Sequence, residues 1–184
     1  MDKKIVYFFI TVSIHYISTE ITITFDETIK KFFPNSALTE IMLKNKLKPL
    51  EDLIKQVTKK NKVHIDLEFY DPVHHQGYDL ILRTNPQCLR LKAHCTPYTS
   101  QEKGNNWAEL AIEQITVQDM YQSKGIGSSC IEVFDNPEIA KALGYREISL
   151  DSMQDAKGFY KNLGFTCTYE DEYTCLYSKR IKGA

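Results

Sequence analysis

The stretch Tyr121-Gln122-Ser123-Lys124-Gly125-Ile126-Gly127-Ser128-Ser129 follows an apolar run over 108–117 and precedes a run with helical spacing of apolar residues. We therefore expect a strand, a tight turn and the start of a helix. Gly125 and Gly127 lack side chains, so the turn can adopt positive φ and its N–H groups can approach a ligand closely. The first N–H groups of a helix lie at the positive end of its dipole. Together these features predict a binding site for phosphate groups.

Two common phosphate-binding motifs do not match the stretch. A Walker P-loop ends in Gly-Lys-Ser/Thr, whereas Lys124 precedes the glycines here. A dinucleotide-binding fingerprint has a third glycine at the position that Cys130 occupies. The glycine pattern therefore requires a different explanation.

The pattern Gln122-x-x-Gly125-x-Gly127 resembles the pyrophosphate loop of the GNAT N-acetyltransferase superfamily. Upstream, Ile112-Glu113-Gln114-Ile115-Thr116-Val117 resembles the family's central strand. Downstream, Ala156-Lys157-Gly158-Phe159-Tyr160-Lys161-Asn162-Leu163-Gly164-Phe165 resembles its second signature, Ala-x-x-Phe-Tyr-x-x-x-Gly-Phe. The resemblance implies an α/β (α+β) GNAT-type fold, with a mixed sheet of about six to seven strands flanked by helices and splayed at the central strand for CoA.

The resemblance implies acetyl-CoA as cosubstrate, with backbone groups of Ile115 and Val117 pairing with the pantetheine arm. The residues that it assigns to the pyrophosphate are Gln122, Ser123, Lys124, Gly125, Ile126, Gly127 and Ser128. Many relatives carry an asparagine three residues before the alanine of the second signature, where this chain has Met153. Either Ser152 or Asn162 replaces that asparagine, or the contact is absent and the affinity for CoA is lower.

An amine acceptor must lose a proton before it attacks, and at neutral pH this costs about 4 to 5 kcal/mol for an alkyl amine. Glu113 is the expected general base, since many relatives carry a glutamate at this strand position. Strict alternation would place Glu109, Glu113, Ile115 and Val117 on the face that leads to the ligand loop. The alternatives are a structural Glu113 paired with a lysine, Glu109 as the base, or a relay through water.

Tyr160 resembles the family's tyrosine that lies near the CoA sulfur and acts as general acid. A thiol of pKa about 8.5 gives a fair leaving group, so loss of this acid should slow the reaction without abolishing it. The alternative is that Phe159, Tyr160, Leu163 and Phe165 are core residues of a packed helix.

The expected function is an N-acetyltransferase that moves the acetyl group of acetyl-CoA to a primary amine by direct attack in a ternary complex. The alternative is an inactive CoA-binding regulatory or interaction module. The acceptor is a small-molecule or peptide amine, and a cationic one is favoured if Glu109, Glu113, Asp119 and residues 170–172 line the mouth of the site. If they do not, these acids are ordinary solvated groups.

Several partners and cofactors are not expected from the sequence. Formal net charge of −1 and 42% apolar residues argue against disorder and against a nucleic-acid-binding surface. No membrane partner is expected. No metal is expected, because His74 and His75 would point in opposite directions in an extended segment. A homodimer formed through exposed strand edges is left open.

The length of 184 residues predicts a single acetyltransferase domain, 1–184, with the core signatures in 108–165. Five cysteines without Cys-x-x-Cys spacing predict reduced, mostly buried thiols and a cytoplasmic protein. Residues 3–14 resemble either a signal peptide or a strand, and their alternation favours a strand. Residues 1–25 would then be N-terminal strands that are atypical of the family.

The remaining pattern predicts elements in order. A strand over 19–25 precedes a short helix capped by Asp26, a helix capped at Asn35-Ser36 and another starting at Pro49. Strands follow over 63–70, 78–84 and 88–94. A loop over 96–106 either brings Tyr98, Glu102 and Trp107 near the acceptor or is a mobile surface loop without a role in binding. The helix after Gly125 should break at Asn136-Pro137. A helix capped by Asp151 or Ser152 and a hairpin over 166–169 and 173–181 complete the chain.

Overall fold

The computed structural model describes residues 20–71, 77–97 and 108–184. Three expectations lie outside these residues: the strand within 3–14, the His74-His75 pair, and the loop side chains Tyr98, Glu102 and Trp107.

The described residues form one eight-stranded mixed sheet, flanked by helices, with the strand order β1-β2-β3-β4-β5-β6-β8-β7. The pairs β1/β2 and β5/β6 are parallel, and the other neighbours are antiparallel. The strands are β1 Ile21–Phe25, β2 His64–Tyr70, β3 Tyr78–Asn85, β4 Leu89–Thr96, β5 Glu109–Val117, β6 Glu147–Met153, β7 Thr166–Glu170 and β8 Thr174–Arg180. The predicted fold class is confirmed, with eight strands instead of six or seven.

Four α-helices accompany the sheet: α1 Ser36–Thr58, α2 Ile126–Phe134, α3 Pro137–Leu143 and α4 Lys157–Asn162. All four contribute buried side chains to one continuous core, among them Leu43, Ile131, Ile139 and Tyr160. The strands add apolar residues at alternate positions, such as Leu80 and Leu82 on β3 and Leu91 and Ala93 on β4. We call this side of the sheet the core face and the opposite side the polar face.

The prediction of separate helices before and after Pro49 is wrong, because Pro49 lies inside the 23-residue α1. The apolar stripe continues through this point, and Leu43, Leu47, Leu50 and Ile54 are all fully buried. Burial of a continuous stripe holds the helix together although Pro49 supplies no N–H group. The short 3-10 turn at Glu27–Phe32 is capped by Asp26 as expected, with the Thr28 N–H donating to the Asp26 carboxylate.

The boundary between α2 and α3 agrees with the prediction from Asn136-Pro137. Asn136 caps α3 by accepting a hydrogen bond from the Glu138 N–H at 3.0 Å, and Pro137 occupies the first helical turn, where its missing N–H group costs nothing. Gly144 ends α3 with a φ of 86°. The core also fixes this region, since the Tyr145 hydroxyl donates to the Phe134 carbonyl oxygen at 2.5 Å.

Two expectations for the C-terminal part are wrong. Asp151 and Ser152 do not cap a helix, because β6 continues to Met153 through its pairing with β8 and the helical segment starts only at Gln154. The five cysteines are not all reduced, since Cys167 and Cys175 form a disulfide within the β7–β8 hairpin. Cys88, Cys95 and Cys130 are buried free thiols, as predicted.

The helices of the described residues include none that is both long enough and apolar enough to cross a membrane.

Candidate active site

A gap opens between the two parallel strands at the middle of the sheet. β5 and β6 pair only from Glu109/Glu147 to Ile112/Leu150, although β5 continues to Val117 and β6 to Met153. Within the described residues, the edge of β5 beyond Ile112 that faces β6 therefore has no strand partner. Unpaired backbone groups at such an edge can bind an extended ligand as an added strand would.

The glycine loop closes one end of this gap. Ser123 and Gly125 both have left-handed backbone conformations, with φ of 58° and 83°. Gly125 then precedes the first residue of α2, where the N–H groups of the first turn lack intrahelical acceptors. The turn therefore directs backbone donors and the positive end of the α2 dipole toward the end of β5, as an anion site requires.

A cavity of about 560 Å³ lies between the loop, the end of β5 and α4. Its lining residues are Ile115, Val117, Tyr121, Gln122, Ser123, Gly125, Ile126, Gly127, Ser128, Phe159 and Tyr160. At Gly127 the three walls meet: an added Cβ atom would lie 3.5 Å from Val117 Cγ2 and 3.6 Å from Phe159 Cζ. The cavity thus joins an apolar channel along β5 to a set of backbone donors, which fits a ligand with an extended arm and a phosphate group.

Side chains of the loop also have intramolecular partners. The Gln122 amide donates to the Val117 carbonyl oxygen at 3.2 Å and to Asp119 Oδ1 at 3.0 Å. The Lys124 ammonium lies 5.7 Å from the centre of the Tyr121 ring. These contacts fix the shape of the turn and hold one cation at its outer side.

Tyr160 lies in the wall of the cavity and is only 6% exposed. Its ring packs against Phe159, Phe165 and Tyr177, with centroid distances of 5.0, 5.8 and 5.4 Å. Burial raises the pKa of the Tyr160 hydroxyl, and a hydrogen bond with Ser152 partly opposes this rise. The hydroxyl therefore keeps its proton at neutral pH and can donate it to a developing anion.

Glu113 lies elsewhere, because strict alternation fails within β5. The β4–β5 register shifts between Lys92 and Ala93, so that Lys92 pairs with Gln114 while Ala93 pairs with Ile112. This bulge places Ile115 and Val117 on the core face together with Ile112. The expectation that Glu113 shares their face is wrong: its carboxylate lies 2.5 Å from Lys92 Nζ, and it is 43% exposed.

The structure brings most of the predicted site residues together around one cavity. Glu113, Lys124 and Asn162 do not line it, and Asn162 is exposed at the end of α4. Met153, at the position of the family's asparagine, has 74% of its surface exposed. Tyr121 and Phe159 line the cavity although the sequence assigned them no role there. Both lie within quoted motifs, Tyr121 at the start of the glycine stretch and Phe159 in the second signature, and their aromatic character there was the available signal.

Comparisons with known proteins agree with this geometry. Residues 101–165 match the model of the acetyltransferase (GNAT) family. No curated protein has a sequence significantly similar to the chain. The match confirms the resemblance predicted from the glycine loop and the second signature, and it supports acetyl transfer as the general chemistry.

Several solved structures are similar to part of this chain. A GNAT-family acetyltransferase from Listeria monocytogenes is 14% identical with a TM-score of 0.38, and the alignment covers 55% of this chain and 63% of that one. The GNAT domain of PAT from S. lividans is 17% identical with a TM-score of 0.42, covering 58% and 64%. Arabidopsis thaliana Naa50, in complex with the bisubstrate analogue CoA-Ac-MVNAL, is 20% identical with a TM-score of 0.41, covering 55% and 71%. Likenesses at this level do not extend to substrate or mechanism.

Proposed function

We propose that this chain, in which residues 101–165 are of the GNAT acetyltransferase family, is an N-acetyltransferase that uses acetyl-CoA and a primary amine. The observation that carries the proposal is the cavity in which the unpaired edge of β5, the first turn of α2 and the Tyr160 hydroxyl meet. The bound thioester would supply an activated acetyl group. The chain's own residues would align it, exclude water and move protons.

Each part of the cavity has its own role in the proposed reaction. Backbone groups of Ile115 and Val117 hold the pantetheine arm along the unpaired edge. The loop over 122–128 binds the pyrophosphate through its N–H groups. Tyr160 gives its proton to the thiolate as the carbon–sulfur bond breaks. A primary ammonium loses two protons when it becomes an amide, so that one proton leaves with the thiol and the other reaches solvent through a base.

Direct attack in a ternary complex is proposed because the side chains that line the cavity over the described residues offer no thiol to carry the acetyl group. None of them is a cysteine, and the three free thiols are buried elsewhere in the core. Burial raises the pKa of Cys95 and Cys130 to about 12, and thiols of this kind are unreactive. An acyl-enzyme intermediate is therefore not part of the proposal.

The acceptor is proposed as a small-molecule or peptide amine, without a charge class. The acids that favoured a cationic acceptor are largely engaged: Glu113 with Lys92, Glu170 with Lys157 and Asp119 with Gln122. The two ion pairs neutralise much of the field that would attract a cation, whereas the neutral Gln122 amide leaves the charge of Asp119 in place. The mouth of the site thus carries less free negative charge than the composition suggests.

The test is release of free CoA thiol from acetyl-CoA with a panel of amino acids, peptides, polyamines and aminoglycosides. We expect one amine class to react, and Tyr160→Phe to lower kcat about 100-fold with little change in the affinity for acetyl-CoA. The matched control is Tyr173→Phe, a hydroxyl deletion at a side chain that is 71% exposed, which should leave kcat unchanged. Binding of acetyl-CoA without thiol release from any amine would favour the inactive CoA-binding module instead.

A further inference from the structure

A group of potential metal ligands lies in the β7–β8 hairpin, outside the cavity. Cys167, Glu170 and Cys175 each offer one ligand atom, and among the described residues these three atoms lie within 4.8 Å of one another. Glu170 Oε2 is 4.0 Å from Cys167 Sγ. The two cysteines form a disulfide in this structure, so the group can take up a cation only after that bond is reduced.

A β-bulge brings the three side chains to one face of the hairpin. Cys167 pairs with Tyr177 and Glu170 with Cys175, and the register shifts between Cys167 and Tyr169. Residues three apart on a regular strand point to opposite faces, so Cys167 and Glu170 share a face because the bulge inserts one residue between them. The sequence alone led us to expect no metal, since this group is assembled by strand pairing and not by a local motif.

The donor set suits a thiophilic divalent cation such as Zn²⁺. Zinc binds thiolate sulfur at about 2.3 Å and carboxylate oxygen at about 2.0 to 2.2 Å in a tetrahedron, which places two sulfurs about 3.8 Å apart and each sulfur about 3.6 Å from the oxygen. After reduction, the two sulfurs must therefore separate, and Glu170 Oε2 must approach Cys167 Sγ by about 0.4 Å. Both changes are on the scale of small side-chain rotations.

Glu170 can bind a cation and keep its ion pair. Lys157 Nζ contacts Glu170 Oε1, whereas Oε2 is the oxygen that faces Cys167 Sγ. A carboxylate accepts through both oxygens, so Oε1 stays with Lys157 while Oε2 binds the ion. The negative charges of two thiolates and one carboxylate are then balanced by the divalent ion and the Lys157 ammonium. Outer partners of this kind orient a metal-binding side chain.

We propose that this hairpin is a redox-gated metal site, in which Cys167, Glu170 and Cys175 bind a divalent cation of the Zn²⁺ class once the disulfide is reduced. A dithiol reductant gives two electrons and two protons to the disulfide and itself becomes a disulfide. The two new thiols lose their protons to solvent as the ion binds, and water occupies the fourth position of the ion. This inference goes beyond the proposed function and does not depend on it.

The site would hold the edge of the sheet together in both redox states. Among the described strands, β7 lies at the edge and pairs with β8 alone, and four of its five residues are exposed. Little buried surface therefore attaches β7 to the sheet, and a pair of strands with so little burial is marginal in stability. The disulfide ties the two strands under oxidising conditions, and the bound ion ties them under reducing conditions.

The test uses the full chain, reduced with dithiothreitol and freed of the reductant without oxygen, with Co²⁺ as the optical probe. Free thiols should rise on reduction from three to five. We expect the reduced protein to bind one Co²⁺ with a sulfur-to-cobalt charge-transfer band and tetrahedral d–d bands, and Zn²⁺ to displace the cobalt. The oxidised protein, which keeps the other three thiols, should show neither feature.

Variants and a melting experiment identify the ligands. Cys167→Ser should weaken Co²⁺ binding by about 100-fold or more, and Glu170→Gln by about tenfold or more. The matched control is Glu172→Gln, an exposed carboxylate in the turn of the same hairpin, which should leave binding unchanged. Zn²⁺ at about 100 times its Kd should raise the melting temperature of the reduced protein by about 5 to 10 °C and leave that of the oxidised protein unchanged.

Three results would overturn the inference: a reduced wild-type protein without the charge-transfer band, an equal band in the oxidised protein, or wild-type affinity in Cys167→Ser. A thiol count that does not rise on reduction would overturn the redox gate. The comparison of reduced with oxidised wild-type protein needs no variant, so it holds also where a cysteine variant fails to fold. None of these measurements involves acetyl-CoA, and failure of the proposed function is detected separately by the amine panel.

Discussion

The left-handed turn at Gly125 gives the most direct test of the proposed acetyl-CoA site. Gly125 has a φ of 83°, and an added Cβ atom would meet only Leu53 Cδ2 at 3.8 Å, an ordinary contact. The effect of Gly125→Ala therefore comes from backbone strain alone, about 1 to 2 kcal/mol for a non-glycine residue in this conformation. The variant must either tolerate this strain or relax the turn and lose the alignment of its N–H groups.

The strain energy appears either as lower stability or as weaker binding of acetyl-CoA, depending on which of the two possibilities holds. If the turn is retained, the melting temperature should fall by about 2 to 8 °C for a chain of this size. If the turn relaxes, stability is kept, and restoring the turn on binding weakens the affinity for acetyl-CoA about 5- to 30-fold. Differential scanning fluorimetry and isothermal titration calorimetry on the same preparation measure both quantities. If the turn relaxes only in part, the loss of stability and the loss of binding free energy should together amount to roughly 1 to 2 kcal/mol.

The controls separate strain from loss of space. Gly127→Ala places its Cβ atom 3.5 Å from Val117 Cγ2 without requiring positive φ, so its melting temperature should equal or exceed that of the wild type. Gly125→Asn should lose less than Gly125→Ala, because asparagine tolerates the left-handed region. A Gly125→Ala protein with both wild-type stability and wild-type acetyl-CoA affinity would refute the assignment of this turn.

Two further predictions concern stability. Burial raises the pKa of Cys95 and Cys130 from the ordinary value of 9.0 to about 12. Their contribution to stability is therefore complete below about pH 9 and is lost as pH rises toward 12, by about 1.4 kcal/mol per pH unit and thiol. Urea titrations above pH 9 should show a shallower decline of stability for Cys130→Ala than for the wild type, and an unchanged slope would contradict this expectation. The Lys179 ammonium donates to Asp135 Oδ2 and to the Leu163 carbonyl oxygen, both at 2.6 Å, and thereby joins β8 to the ends of α2 and α4. Lys179→Met should therefore lower the free energy of unfolding by about 1 to 3 kcal/mol. The same loss in Lys182→Met would show that these contacts are not responsible.

The sequence predicts those parts of the fold that depend on local chemistry. The alternating apolar residues of β2, β3 and β4 and the Asn136-Pro137 break between α2 and α3 are all visible in the pattern. Pro49 wrongly indicated a helix boundary, because proline in a helix interior costs about 3 kcal/mol. Full burial of four leucine and isoleucine side chains on the same stripe of α1 outweighs this cost. The pairing of β6 with β8 similarly extends β6 through Asp151 and Ser152, which local signals assigned to a helix cap.

In the candidate site, too, local sequence predicts some features, whereas others depend on strand pairing. The glycine loop and Tyr160 follow from short motifs, because their roles depend on neighbours in sequence. The position of Glu113 does not, because a β-bulge inserts one residue into the alternation and every later side chain of β5 changes face. No local signal in the strand marks this bulge, which is visible only from the register with β4.

The bulge also decides which side chains of β5 reach the proposed acetyl-CoA site. Beyond it, Ile115 and Val117 face the helices and form an apolar wall of the cavity, while Glu113 turns to Lys92 on the polar face. Without the bulge, the Glu113 carboxylate would lie on the same face as Ile115 and Val117. It would then share the proposed channel with the pantetheine arm and the pyrophosphate, whose negative charge it would repel. The one-residue shift therefore keeps the Glu113 carboxylate out of the cavity that we propose as the acetyl-CoA site.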